Sequence, residues 1–219
     1  MPAYEPKAVA QYRITSVEST RESRRESRRK SSRAYDISES SGHAEYHVNL
    51  EPIWDRFHRK DLVFYEGPES KPGPIVACTK FRRAVKHVEL GFGDLAEPSD
   101  IEWSEMRCEK LVVHYVFTVP VGDDRKPHTF VWKRTRSQGI GSRGLKLVDE
   151  ADRLIAVYSA GGCMSSNTGQ IDIYEDFGGH FQLVVLVSAL AVRQRLLRSR
   201  DAAAAGAASG GAAAAGAGC

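Results

Sequence analysis

The sequence has few cysteines, and they lie far apart. The four among 219 residues are Cys78, Cys108, Cys163 and Cys219, and no two form a Cys-x-x-Cys pair or a Cys/His zinc pattern. This spacing excludes a zinc finger and a disulfide framework, and it indicates unpaired thiols in a reducing compartment. The seven histidines show no metal-ligand spacing, and no Asp-x-Asp-x-Asp-Gly calcium loop occurs. We expect no metal and no cofactor.

Motifs of catalytic sites are also lacking. No serine lies in a nucleophile elbow, and no pair of acids has an informative spacing. Residues 139–144 match G-x-G-x-x-G, but a dinucleotide-binding loop needs a helix after it. A strand pattern at residues 145–148 follows instead, which favours an ordinary loop between strands. The sequence therefore predicts a protein that is not an enzyme.

Long hydrophobic runs are absent except for one near the end of the chain. From residue 183 to 192 only Ser188 is polar. A helix that is apolar on every side is either buried in protein or spans a membrane. The run measures about 15 Å as a helix, whereas a bilayer core needs roughly 20 apolar residues. The sequence therefore predicts a buried helix, which four arginines follow: Arg193, Arg195, Arg198 and Arg200.

Short strand patterns fill most of the remaining chain. Eleven segments are alternating or β-branched, and Gly, Pro, Asp and Ser turns separate them. They cover residues 34–37, 44–50, 62–65, 75–81, 87–90, 101–107, 111–121, 129–135, 145–148, 154–158 and 171–174. Strands in series without helices between them pair antiparallel and close into sandwiches or barrels. We predict an all-β fold with one buried helix: a closed antiparallel β-barrel of about twelve strands around a central hydrophobic C-terminal helix.

Charge and composition divide the chain into three parts. The first 33 residues carry nine Lys/Arg against four Glu, whereas residues 34–192 have a net charge of −5. From residue 15 to residue 33 the only apolar side chain is Val17, too little to offset the entropy of ordering the chain. The predicted parts are a disordered basic Ser/Arg-rich tail at 1–33, the barrel domain at 34–200, and an Ala/Gly-rich low-complexity tail at 201–219.

A set of segments in this series carries a family pattern. They are Phe130-Val-Trp-Lys-Arg-Thr135, Leu145-Lys-Leu-Val-Asp149, Leu154-Ile-Ala-Val157, the helix at 181–195, and Ala34-Tyr-Asp-Ile37 before 44–50. Together they resemble the tubby C-terminal-like superfamily, and its short single-domain fungal members most. The resemblance covers about residues 34–198 and implies a twelve-stranded barrel threaded by a hydrophobic C-terminal helix. The superfamily includes phosphoinositide-binding tubby proteins and phospholipid scramblases. The cysteine cluster and acidic calcium loop of scramblases are missing here, so scramblase activity does not carry over.

Two basic groups within the predicted barrel are candidates for binding an anionic lipid headgroup. The first contains Lys80, Arg82 and Arg83, and the second contains Lys133, Arg134 and Arg136. If the second group lies on a strand, Arg134 and Arg136 share one face and Lys133 lies on the other. Ordinary solvated strand residues are the alternative interpretation of both groups.

The basic N-terminal segment contains two candidate phosphorylation sites. Ser27 follows Arg24-Arg25-Glu26, and Ser31 follows Arg28-Arg29-Lys30, a pattern that basic-directed kinases recognise. Each phosphate adds about −1.5 to −2 charges. The segment is therefore a candidate electrostatic switch for membrane contact. A nuclear-import signal and a merely solubilising segment are the alternatives.

These observations favour a non-enzymatic intracellular binding module, peripheral to membranes through anionic phospholipid headgroups. A structural or protein-interaction barrel without a lipid role, whose protein partner is unknown, is the alternative. Because residues 34–192 of the predicted barrel domain carry a net charge of −5, we expect no nucleic-acid partner. The N-terminus has no apolar segment of secretory type and the chain has no Asn-x-Ser/Thr acceptor, so we expect a cytoplasmic protein, a monomer, with nuclear import left open.

Overall fold

The computed structural model describes residues 7–18, 33–39, 42–50, 53–55, 58–82, 87–109, 113–122, 124–135, 144–161 and 167–211. The strands are β1 (Ala10–Glu18), β2 (Arg33–Glu39), β3 (Ala44–Asn49), β4 (Ile53–Asp55), β5 (His58–Lys60), β6 (Leu62–Glu66), β7 (Ile75–Phe81), β8 (Val88–Phe92), β9 (Glu102–Cys108), β10 (His114–Val121), β11 (Lys126–Arg134), β12 (Leu145–Asp149), β13 (Leu154–Ala160) and β14 (Asn167–Ile173). A 3-10 turn covers Pro98–Asp100, and the helix α1 covers Gly179–Gly211.

Twelve of these strands form one closed barrel, in the order β1-β14-β13-β12-β11-β10-β9-β8-β7-β6-β3-β2. Every neighbouring pair is antiparallel, and β1 closes the ring by pairing with both β14 and β2. The remaining two strands, β4 and β5, form a separate hairpin. The predicted closed antiparallel barrel around a C-terminal helix is therefore confirmed.

The helix fills the barrel because burial there removes its apolar surface from water. All residues from Val184 to Val192 are at most 2% exposed, and Phe181 is equally buried. Inward side chains of the strands surround them at every second position, as Phe117, Val119 and Val121 do on β10. By length and composition α1 could cross a membrane, yet 61% of its apolar window is buried inside the barrel.

The single polar residue of the apolar run has a partner on the barrel wall. Trp132 on β11 donates its indole N–H to the Ser188 hydroxyl at 3.0 Å, and Ser188 donates to the Val185 carbonyl at 3.2 Å. Both side chains are fully buried. This hydrogen bond fixes the rotation of the helix, because a one-residue turn of α1 would leave the indole N–H unpaired in an apolar interior.

We expect Ser188→Ala to lower the free energy of unfolding by about 1–3 kcal/mol, because it leaves the buried Trp132 N–H without an acceptor. Urea unfolding followed by tryptophan fluorescence measures the loss. Ser199→Ala, on an exposed turn of the same helix, is the matched control and should change stability little. Equal stability of Ser188→Ala and wild type would contradict the assigned hydrogen bond.

The prediction of a disordered tail at residues 1–33 is wrong for Ala10–Glu18, which form β1. Ala10, Tyr12 and Ile14 point into the barrel and are buried, while Gln11 and Arg13 point outward. The strand forms because both of its edges are paired, so the ladder and the buried side chains offset its low apolar content. Residues 1–6 and 19–32 of the predicted tail lie outside the described residues.

Residues 201–211 of the predicted low-complexity tail are helical. The helix continues without interruption to Gly211, and residues 201–204 are exposed. A helix already nucleated inside the barrel adds alanines readily, because alanine has the highest helix propensity and only nucleation is costly. Residues 212–219 lie outside the described residues.

Candidate functional site

The up-and-down order of the barrel sorts the connections between strands onto two opposite ends. We call the end where α1 begins the helix-start end and the end where α1 leaves the barrel the helix-exit end. The connections at the helix-exit end are residues 19–32, 50–61, 82–87, 109–113, 135–144 and 161–166. Those at the helix-start end are residues 40–43, 67–74, 93–101, 122–125, 150–153 and 174–178.

Charge is segregated between these two ends. The sequence of the helix-exit connections, with helix residues 193–201, contains 19 Lys/Arg and 7 Asp/Glu, a net charge of +12. The sequence of the helix-start connections contains 3 Lys/Arg and 10 Asp/Glu, a net charge of −7. By sequence, the connections are therefore basic at one end of the barrel and acidic at the other, while the whole chain has a formal net charge of +3. Of the +12, a net +9 belongs to residues outside the described ones.

The arginines that follow the apolar run attach the helix to the rim of the helix-exit end. Arg193 donates to the Tyr35 hydroxyl at 2.7 Å, and Arg195 donates to the carbonyl oxygen of Arg82 at 2.7 Å. Burial alone would lower the pKa of Arg193, but the neighbouring Tyr158 and Tyr35 hydroxyls raise it on balance. Arg193 therefore stays charged, and it serves the attachment of the helix and not an external ligand.

A third attachment joins Arg198 to a buried carboxylate. Arg198 donates to Asp61 at 2.9 Å, and the Asp61 side chain is only 2% exposed. The second carboxylate oxygen of Asp61 accepts the backbone N–H of Phe81 at 2.9 Å, and the Arg198 guanidinium stacks 4.5 Å from the centre of the Phe81 ring. Both oxygens of the buried acid are thus satisfied, so the pair holds the last buried turn of α1 on the rim.

The six predicted lipid-binding residues all belong to strand ends or connections at the helix-exit end, but most of those described have partners. Lys80 lies 3.8 Å from the centre of the Trp103 ring, and Arg82 donates to Glu89. Lys133 donates to Asp152 at 2.8 Å, and this hydrogen bond lowers the pKa of the Asp152 carboxyl. Arg82 and Lys133 are therefore paired with acids, whereas Lys80 contacts an aromatic ring and keeps its charge.

Arg134 is the exception among the described candidates, because it is exposed and makes no ion pair within the described part of the chain. Arg200, at the exposed turn of α1 beyond the rim, has the same character. Arg83 and Arg136 lie outside the described residues, in connections that start beside Arg82 and beside Arg134.

Ser27 and Ser31 also lie outside the described residues. Both serines belong to residues 19–32, which join β1 to β2 and are therefore not part of a free terminus. The connection is anchored at both ends on the helix-exit rim. The segment that contains the candidate phosphorylation sites therefore connects strands at the same end as the candidate lipid-binding residues of the described chain, which sequence reasoning did not predict.

Metal and thiol chemistry find no support in the described residues. No group of three or more His, Cys, Asp or Glu side chains among them could hold a metal ion. Cys78 on β7 is buried, Cys108 on β9 is half-buried, and neither forms a disulfide within the described part of the chain.

Comparison with known proteins adds no assignment: no family model, no curated protein and no solved structure matches this chain.

Proposed function

We propose that this protein is a non-enzymatic binding module that docks on anionic phospholipid surfaces with the helix-exit end of its barrel. The observation that carries the proposal is the segregation of charge, +12 at the helix-exit end against −7 at the helix-start end. Such a charge distribution orients a protein in the field of a negative surface, with the basic end toward the lipid and the acidic end away from it.

The barrel itself supports a binding role over catalysis. Its interior is filled by α1, so a substrate cannot be enclosed there as in a ligand-carrying barrel. Of the described cations at this end, Arg134 is the last residue of β11 and Arg200 lies on the anchored helix. Each basic residue near an anionic leaflet contributes about 1 kcal/mol to binding, so several acting together give a useful affinity without any catalytic group.

We further propose that the chain is a tubby-like barrel of the tubby C-terminal-like superfamily, whose phosphoinositide-binding members make an anionic headgroup the ligand to test first. The twelve strands and the threaded C-terminal helix support this, because both features were expected from the resemblance. The likeness adds to the charge argument and does not replace it.

We expect the full chain to sediment with vesicles that contain anionic lipid. Added salt should release the protein from the vesicles, because exposed charges are screened over about 8 Å at physiological ionic strength. Arg134→Gln with Arg200→Gln should weaken binding about thirtyfold, since removing two basic residues near the surface costs about 2 kcal/mol. Vesicle sedimentation at several salt concentrations measures the change.

The matched control removes two cations from the opposite end. Lys71→Gln with Lys126→Gln makes the same change in net charge at exposed positions of the helix-start end. This pair should leave vesicle binding within about twofold of wild type. Equal effects of the two double variants would show that vesicle binding depends on the total charge and not on the helix-exit end. That result would contradict the proposal.

Two further outcomes separate the alternatives. If the protein does not bind anionic vesicles at low salt, the lipid role is wrong, and the alternative of a protein-interaction barrel is favoured. If a duplex oligonucleotide binds more tightly than vesicles at equal salt, the basic end serves nucleic acid, which would also overturn the proposal.

A further inference from the structure

A cavity of about 470 Å³ lies at the helix-start end, between the barrel rim and the first turn of α1. The rim contributes the ends of β8 and β10 and the start of β9, and the segment that leads into α1 contributes residues 177–181. Its volume falls within the range of pockets that hold small organic molecules. The cavity and the lipid-facing residues proposed above lie at opposite ends of the barrel.

The inner wall of this cavity is aromatic. Phe92, Phe177 and Phe181 line it, but Phe92 and Phe181 are only 4% and 1% exposed, so the half-buried Phe177 offers most of the aromatic surface. The Phe177 and Phe181 rings meet edge to face with centroids 4.9 Å apart. His180 packs edge-on against Phe92 at 5.6 Å. Aromatic rings present a negative face, which attracts organic cations within about 6 Å of the ring centroid.

The outer wall carries the charge. Asp100 and Glu102 line the cavity together with a single cation, Arg125. Arg125 donates to Glu102 at 2.6 Å and so neutralises that carboxylate. Asp100 is held by a hydrogen bond from the Ser99 hydroxyl at 2.9 Å and has no basic partner in the described part of the chain. One carboxylate therefore remains available at the edge of an aromatic pocket.

Three amides near the start of the helix are already paired. The Gly178 amide donates to Asp176 at 2.9 Å, and the Phe181 and Gln182 amides donate to the Gly178 carbonyl at 3.0 and 3.2 Å. The sequence of the surrounding connections carries a net charge of −7, which concentrates cations and repels anions. The surroundings of the cavity thus favour a cationic ligand.

We propose that this cavity binds a small organic ammonium ion, with its apolar body against the Phe177 ring and its ammonium group at Asp100. The site does not depend on the proposed membrane role, because it shares no residue with the helix-exit end. Its ligand is recognised by a combination of charge and aromatic surface that neither an alcohol nor a carboxylate of the same shape reproduces.

Gly179 provides a way to close the cavity without disturbing the barrel. A Cβ atom added there meets no other atom within 4 Å, and its backbone is not in the left-handed region. Gly179→Leu therefore places a side chain into open space at the first turn of α1, at the edge of the cavity. Gly178 is unsuitable for this purpose, because its φ of +87° strains any other residue.

The test uses 2-phenylethylammonium as the probe, with 2-phenylethanol and phenylacetate as neutral and anionic analogues of the same body. Amide NMR of the full chain should show saturable shifts around Gly93, Gly122 and Gly179 with the ammonium ion. Its dissociation constant should be about fivefold lower than that of the alcohol, and phenylacetate should bind most weakly. Gly179→Leu should abolish the shifts with all three probes.

Asp100→Asn should bring the ammonium ion to within about twofold of the alcohol, because it removes the one available carboxylate. Glu97→Gln, an exposed acid of the same connection that does not line the cavity, should retain the preference. Tightest binding by phenylacetate, an unchanged preference in Asp100→Asn, or no saturable shift with any probe would overturn the proposal.

Discussion

A chain that starts at residue 19 is expected not to fold cooperatively. Removing Ala10–Glu18 deletes the one strand that joins β14 to β2, so it opens the barrel and exposes two long strand edges. It also removes Tyr12 and Ile14 from the core, and with Tyr12 the hydrogen bond to Gln182 at 2.8 Å. Large core side chains contribute about 2–5 kcal/mol each, a substantial share of the 5–15 kcal/mol that typically holds a domain together.

Thermal unfolding by circular dichroism and the elution volume of the shortened chain measure this effect. Two single substitutions in the full chain distinguish the loss of the buried β1 side chains from the shortening of the chain. Ile14→Asp places a charge in the barrel and should be as damaging as the deletion, whereas Arg13→Asp, on the outward face of β1, should be tolerated. A shortened chain that melts like the full one would show that β1 contributes nothing to the barrel.

The second large effect is expected from Leu186→Asp in the middle of α1. Leu186 is completely buried, and every side chain from Val184 to Val187 is equally enclosed by the strands. A carboxylate there has no partner, and burying it costs several kcal/mol even after its pKa adjusts. We expect the variant to be insoluble or to lack a cooperative transition.

Ser199→Asp is the matched control, because it adds the same group to the same helix at an exposed position beyond the rim. Its unfolding midpoint should stay close to that of the wild type. A soluble Leu186→Asp protein with an unchanged midpoint would mean that α1 is not needed to fill the barrel.

The fold was predictable from the sequence because two signals agree. Eleven strand patterns and one helix without a polar face leave few arrangements other than a barrel around that helix. The need for a twelfth strand could also be inferred. Eleven strands cannot close into a fully antiparallel barrel, since the first and the last would run in the same direction. Tyr12 and Ile14 alternate with Gln11 and Arg13, but the Ser/Arg-rich residues after Glu18 hid this short pattern.

The candidate sites were less accessible to sequence reasoning. Which end a connection occupies depends on counting every strand correctly, so missing β1 placed the basic residues 19–32 in a tail. The partners of Lys80, Arg82 and Lys133 depend on register and on turns, as in the contact of Lys133 with Asp152. The pocket at the helix-start end depends on how far the strands extend beyond Phe181, which no local pattern specifies.

The pairing of β1 with β14 has a consequence for synthesis on the ribosome. Ala10 lies opposite Ile173, so the barrel cannot close until more than 160 residues have been made and the apolar helix that follows has left the exit tunnel. At about 5–20 residues per second, the nascent chain spends on the order of 10–30 seconds with an open sheet. Contacts of such high sequence separation also form slowly. β1 thus waits longest for its second neighbour, because β14 is the last of the barrel strands to be made.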